Sequence, residues 1–375
     1  MERRAFIRET AARVGGLGLG SLAVGSLVAG CSEKEPGSAP SAQTKKRLRW
    51  RLVSSFPRSI ETIYGAADRL SARVESLTDG QFSIKAYPAG EIVPALEVME
   101  AVEQGTAEIG HTASYYYSGK DDALIFDCAV PFGLTARQHS AWLLEAGGLD
   151  LMRDLFGKFG IHNLPGGNTG VQMGGWFRKP VRSLADLKGL KMRIPGMGGK
   201  VMDALGVTVQ LLGGGEIYPA LERGTIDATE WVGPYDDMKL GFYKVAKHYH
   251  YPGWWEPGPA LSFYVNQKSW DSLPQQYQSA LEAASREAAL GMMAEYDAKN
   301  PPALKQLLTK GVELVPFPDD VMHAARDVTE EKLKALADGN AGFRKIYDHW
   351  RAFQVESNRW FGTAEKQYGD FVYGE

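Results

Sequence analysis

Residues 216–231 read EIYPALERGTIDATEW. Ile217, Ala220 and Leu221 fall at helical spacing, Gly224 supplies the left-handed C′ stop of a helix, and Thr225 to Val232 continues as a short strand. The same grammar occurs at residues 98–112, VMEAVEQGTAEIGHT, where Val102 to Glu108 matches Leu221 to Asp227 in pattern. In each copy the strand is followed by residues suited to a cleft: Tyr115, Tyr116 and Tyr117 after the first, Glu230 and Trp231 after the second. Two copies of one helix–glycine–strand unit predict two α/β halves with ligand-facing residues at the carboxyl ends of their strands. Helix-stop chemistry common to all α/β folds is the blander account of the echo.

Working outward, residues 48–56 alternate as a strand and Pro57-Arg58-Ser59 turns the chain, with Ser59 as N-cap of a helix over 60–77. A strand at 82–88, a helix at 94–104 and a strand at 107–112 complete one β-α-β-α-β run, the order expected of a parallel sheet. Thr135 to Phe159 reads as one long helix. Extended segments at 161–164 and 170–177 flank the GGNTG turn that holds Asn168. Arg193 lies on a short strand ended by Pro195-Gly196; a helix at 200–205, a strand at 207–211, a glycine turn at 213–215 and the opening stretch complete a second run. The Gly253-to-Pro259 segment, GWWEPGP, returns the chain to the first half through a strand at 260–265. Helices are predicted at 274–299, 302–310, 318–336 and 342–361.

The chain has 375 residues, 44% of them hydrophobic and 23% charged, enough for two domains with substantial cores. Arg3, Arg4, Arg8 and Arg13 against Glu2 and Glu9 leave residues 1–30 at +2 and the remainder at −5. An acidic body argues against a nucleic-acid partner. The charged head and the apolar run from Val14 to Gly30 form an export signal, with RRAFIR similar to a twin-arginine motif. Leu27 to Cys31 resembles a lipobox, which implies cleavage and lipid anchoring at Cys31, followed by a polar tether over 31–47. Cys128, in ALIFDCAVPF, reads as a small buried hydrophobe.

Four residues suggest chemistry. Arg193 on an apolar run offers a planar fork of donors for a carboxylate. Gln172 and Glu230 are hard oxygen donors suited to Na+ or Ca2+, with Trp231 as a wall. The same set would equally form a structural ion pair and a core aromatic. Asp121-Asp122 and Asp236-Asp237 read as solvated acids, and His248 and His250 as surface histidines on one strand face. Neither a G-x-S-x-G elbow nor an H-E-x-x-H motif occurs, which leaves little for an exported hydrolase. A ligand-sensing lipoprotein is a further alternative.

Taken together, VEQGTAEIG, GVQMGGWFRKPVRSLADLKGLKMRIPG, LERGTIDATEWVGPYDD and Tyr251 to Gly258 resemble the solute-binding receptors of tripartite ATP-independent periplasmic (TRAP) transporters, in the branch for α-keto and α-hydroxy acids. The resemblance covers roughly residues 48–365. It implies a two-lobed periplasmic-binding-protein fold: lobe I over 48–168 plus 257–310, lobe II over 169–256, and C-terminal helices over 311–375 that serve a swapped dimer. It implies that Arg193 grips a small carboxylate such as pyruvate or lactate, that Gln172, Glu230 and the Trp231 carbonyl hold a cation, and that Glu256, Asn168 and Tyr116 complete the site. Membrane permease subunits would be the partners, outside the cytoplasmic membrane.

Overall fold

The computed structural model describes residues 47–374; the export-signal, lipobox and tether readings over residues 1–46 fall outside them. Among the described residues no helix is long and apolar enough to cross a membrane.

β1 (Leu48–Ser54), α1 (Glu61–Leu77), β2 (Phe82–Tyr87), α2 (Val98–Glu103) and β3 (Ile109–Thr112) build the first half, with β1 parallel to both β2 and β3. Ser59 does not cap α1: Ile60 holds that position and makes no side-chain bond there. After the short α3 (Ile125–Cys128), the long helix expected over 135–159 is two, α4 (Ala136–Glu145) and α5 (Gly148–Gly157). Gly147, at φ +82°, breaks the run, a conformation that costs glycine almost nothing. Next comes β4 (Ile161–Asn168), and the chain then crosses to the second half.

There, β5 (Trp176–Phe177) precedes β6 (Lys191–Arg193), α6 (Gly196–Ala204), β7 (Thr208–Gln210), α7 (Gly214–Arg223) and β8 (Ala228–Thr229). β6 runs parallel to both β7 and β8, repeating the pattern of the first half. The two glycines of the sequence echo occupy the same place: Gly105 and Gly224 have φ +72° and +74°, and each precedes a strand at the centre of its sheet. α8 (Pro234–Leu240) and β9 (His248–Tyr251) follow, then β10 (Ala260–Asn266), which returns to the first sheet as expected.

Neither sheet is purely parallel. The first has the order β2-β1-β3-β10-β4, with β10 antiparallel to both neighbours, and in the second β5 runs antiparallel to β8 and β9. After α9 (Gln267–Asp271), α10 (Gln275–Thr309) is a single helix of 35 residues that runs through Pro301 and Pro302, where a break was expected. Tyr296 before the prolines and Ala303 and Leu307 after them are buried, so tertiary packing outweighs the lost backbone bonds. β11 (Glu313–Pro316), which periodicity alone did not reveal, pairs with β9 at the edge of the second sheet. α11 (Asp319–Gly339), α12 (Ala341–Thr363) and α13 (Glu365–Tyr373) complete the chain; α12, close to the helix expected over 342–361, buries Phe343, Ile346 and Trp350. Cys128 is fully buried, as expected of a small hydrophobe.

Candidate functional site

The carboxyl ends of β3 and β8 face a common cavity. From the first half come Phe56, Ile63, Tyr115 and Tyr116; Thr169 and Gln172 lie on the crossing segment, and Arg193, Trp231 and Val232 come from the second. Its volume is about 10 Å³, room for roughly one water molecule.

Arg193 is 1% exposed, and its burial follows from β6 lying inside the second sheet between β7 and β8. Such a charge requires partners. Nη1 donates to Glu230 Oε1, Nε donates to the Leu212 carbonyl at 3.1 Å, and the guanidinium carbon stands 5.4 Å from the centre of the Trp231 ring. The bidentate fork foreseen for Arg193 is therefore largely spent on the protein itself, and Nη2 alone has no hydrogen-bond partner of normal geometry. The same holds for Glu230 Oε2 and Gln172 Oε1. Gln172 is oriented by its amide nitrogen, which donates to Thr169 Oγ1 at 3.1 Å. Arg193 Nη2, Gln172 Oε1 and the Trp231 indole N–H thus stand unpartnered in buried residues that line one small cavity, with Glu230 Oε2 unpartnered beside Arg193. Buried polar groups normally find partners, so this is the signature of a site built for something else.

Charge points the same way. Burial pushes the Glu230 carboxyl up, against the pull of Arg193. Glu256, also buried, is pushed well above the usual carboxylate range, by burial first and then by Glu230; it accepts from the Tyr115 hydroxyl at 3.2 Å. Burial also raises the Tyr116 hydroxyl, which lies beside Arg193. Two carboxylates against one guanidinium leave room for a cation. No cluster of three His, Cys, Asp or Glu side chains forms a metal site among the described residues. The donor set is instead carboxylate and amide oxygen, which suits Na+ or Ca2+ and no thiolate- or imidazole-seeking metal.

Of the residues read from sequence, Arg193, Gln172, Glu230, Trp231 and Tyr116 meet here, and Glu256 joins them through Tyr115. Asn168 does not line the cavity. Its amide donates to the Gly258 carbonyl at 3.1 Å and its oxygen accepts from Gly170 N at 2.8 Å, tying the two strands that cross between halves. Phe56, Ile63 and Thr169 were not foreseen as lining residues, whereas Tyr115 was one of three tyrosines read as cleft residues. The first three carry no signal beyond ordinary core or turn chemistry.

Glycines let the backbone come close. Gly175 has φ +83°, and a Cβ there would lie 2.4 Å from the Thr229 carbonyl and 3.1 Å from Glu230 Cβ. Gly175→Ala is expected to destabilise the protein by about 1–3 kcal/mol and to displace Glu230, read as a lowered Tm and weakened ligand binding together. A variant that loses neither would show that the backbone there yields freely.

The family pattern described as bacterial extracellular solute-binding protein, family 7, matches residues 53–340. The chain belongs to that family. Among the receptor's relatives is a monocarboxylate 2-oxoacid-binding periplasmic protein of Nostoc, 50% identical over 325 residues, covering 87% of this chain and 89% of the relative. A TRAP transporter solute-binding protein of Bordetella bronchiseptica has the same fold, with a TM-score of 0.86 at 48% identity over 88% of this chain and 98% of its own. That structure is a mixed-occupancy dimer with copurified calcium and picolinate in one active site and the other site apo. A TRAP receptor of Pseudoalteromonas atlantica, crystallised with sodium and pyruvate, gives a TM-score of 0.84 at 41% identity over 86% and 98% of the two chains. One of Colwellia psychrerythraea, with calcium and pyruvate, gives 0.85 at 36% identity over 87% and 100%. The receptor is thus a TRAP-family solute-binding protein of the periplasm, a binding protein rather than a hydrolase.

Proposed function

We propose that the receptor captures a small 2-oxo or 2-hydroxy monocarboxylate, such as pyruvate or lactate, together with Na+ or Ca2+, and delivers it to membrane permease subunits. The observation that carries this reading is the unpartnered pair of Arg193 Nη2 and Gln172 Oε1 on the wall of a single cavity, with Glu230 Oε2 also unpartnered on the carboxylate that pairs with Arg193. A carboxylate oxygen satisfies the free guanidinium donor. Gln172, Glu230 and the Trp231 carbonyl would hold the cation, with Glu256 close by. When bound, the cation supplies a second electrostatic hold on the carboxylate and on the neighbouring oxo or hydroxyl oxygen. Because Glu230 already occupies part of the Arg193 fork, this second hold matters more than it would beside a free arginine.

Charge balance ties Glu256 to the ion. With Glu256 protonated, Arg193 and Glu230 cancel, and a monocarboxylate with Na+ adds no net charge. With Glu256 ionised, the same ligand is balanced by Ca2+.

The cavity walls come from both halves, and a space of about 10 Å³ admits a three-carbon acid only if they part. The two sheets with their helices are accordingly read as lobes that close on ligand by hinge motion. A homodimer through the C-terminal helices is the further part of the proposal. It is supported by exposed Trp360, Phe371 and Tyr373 on α12 and α13 and by the dimeric Bordetella relative. Anchoring through Cys31 rests on the Leu27–Cys31 motif alone.

Isothermal titration of protein unfolded, stripped and refolded tests the reading. Pyruvate or lactate with calcium or sodium is expected to bind at least about a hundredfold more tightly than propionate, which lacks the second oxygen. Equal affinity for propionate would remove the chelate from the account.

A further inference from the structure

The adjacent acids Asp236 and Asp237, expected to be solvated, are both buried, and they face opposite halves of the molecule. Asp237 is fixed to the second sheet: its carboxylate accepts from Trp176 Nε1 on β5 at 2.9 Å and from the Tyr249 hydroxyl on β9 at 2.7 Å. That anchors α8, which begins two residues after Val232 of the cavity wall. Asp236 points the other way. One of its oxygens accepts from the Thr62 hydroxyl of α1 and the other from the Tyr296 hydroxyl of α10 at 2.5 Å. α1 packs on β2, so Thr62 belongs with the first sheet, while α10 packs on α1 and β4 as well as on α8. At the rim Glu61, beside Thr62, accepts from Tyr235 and Lys239 of α8. These outer contacts are exposed and individually weak. The buried Thr62–Asp236–Tyr296 set is the part with leverage.

We infer that Thr62, Tyr296 and Asp236 form a latch between the two halves that holds the receptor closed and so sets how slowly ligand leaves, without touching the ligand. The inference rests on the hinged closure of the proposed function. A carboxylate with both oxygens bonded while the halves are together loses those partners to water when they separate. None of the three residues lines the cavity, although Ile63, next to Thr62, does. They are therefore positioning residues: they act on the closed arrangement of Ile63 against Trp231 and Val232.

Stopped-flow tryptophan fluorescence with pyruvate and calcium chloride tests the latch in Thr62→Val, Thr62→Ser and Tyr296→Phe. Thr62→Val is nearly isosteric and leaves one buried carboxylate oxygen without its donor, so its dissociation rate should rise about tenfold with the association rate within about twofold of the parent. Tyr296→Phe should act in the same direction, and Thr62→Ser, which keeps the hydroxyl, should restore slow release. An unchanged dissociation rate in both Thr62→Val and Tyr296→Phe, a loss confined to the association rate, or a Thr62→Ser variant as fast as Thr62→Val would overturn the latch. A second readout separates this from the ligand assignment: distance distributions between one spin label on each half, with no ligand added. If pyruvate fails to bind even the parent protein, a shift of Thr62→Val toward longer distances still supports the latch, and identical distributions refute it.

Discussion

Arg193→Ala should raise the dissociation constant for pyruvate by roughly a hundred- to several-thousand-fold, about 3–5 kcal/mol. The substitution removes the unpartnered guanidinium donor of the cavity and also strips Glu230 of its buried counter-charge, leaving a carboxylate that is 1% exposed without a cationic partner. Two losses are thereby combined, and Arg193→Lys separates them. Lysine keeps the positive charge but has no rigid fork, so it cannot serve Glu230, the Leu212 carbonyl and a ligand at once. Thermal stability should recover substantially in Arg193→Lys while affinity stays low. Calorimetric titration and a melting curve on the same samples decide the matter; affinity close to the parent's in Arg193→Ala would remove Arg193 from the binding site.

The second large effect concerns Glu230→Gln. The amide still offers Arg193 an acceptor, but it replaces the free carboxylate oxygen by an N–H donor or leaves it uncharged. A cation would then lose the carboxylate that pairs with Arg193. Pyruvate affinity should fall by about 2–4 kcal/mol, and the remaining affinity should no longer depend on added sodium or calcium. In the parent protein, transfer to choline buffer with a chelator should reproduce most of that loss. Made in Glu230→Gln, the same transfer should change little, since the ion has already been lost. If the two losses instead add in full, the cation and Glu230 act at separate places.

Both effects depend on features that were unequally visible in the chain itself. Arg193 stands out because it lies between Met192 and Ile194 on a short strand ended by Pro195-Gly196, and Glu230-Trp231 stands out because it ends a strand that otherwise reads as core. That Arg193 and Glu230 would bond directly was one of two readings of these residues. The protein combines them: an internal ion pair that still leaves one donor and one acceptor unspent. Asn168 shows the opposite outcome. A polar residue in a glycine-rich turn suits a ligand contact, but backbone groups two residues away and across at Gly258 claim its amide first.

The aspartates and His250, all after Trp231, were misread for one reason. Asp236, Asp237 and His250 lie in stretches with tyrosine, lysine and glycine neighbours, the composition of a solvated loop. Their partners are remote in sequence: Thr62 is 174 positions from Asp236, and Trp176 is 61 from Asp237. His250 is likewise buried, edge-on to Phe177, with burial holding its ring neutral and its pKa down at about 3. Local composition reports what a residue prefers when exposed. It cannot report that several hydroxyls and an indole will converge to make burial tolerable.

Local order was set by the chain on its own: two strand–helix–strand–helix–strand halves, the left-handed glycines at 105 and 224, and cleft residues after the last strand of each. Period, helix-stop chemistry and strand ends are properties of a few neighbouring residues, so they can be read without knowing the rest. Only the tertiary structure decided that β10 and β5 run against their sheets, that β11 closes the second sheet's edge, and that one helix passes through two prolines. It likewise decided which buried polar atoms stay unpartnered beside Arg193 and that Asp236 reaches across to Thr62. Those outcomes depend on long-range pairing and packing, where each group's free energy is set by neighbours that the sequence holds far apart.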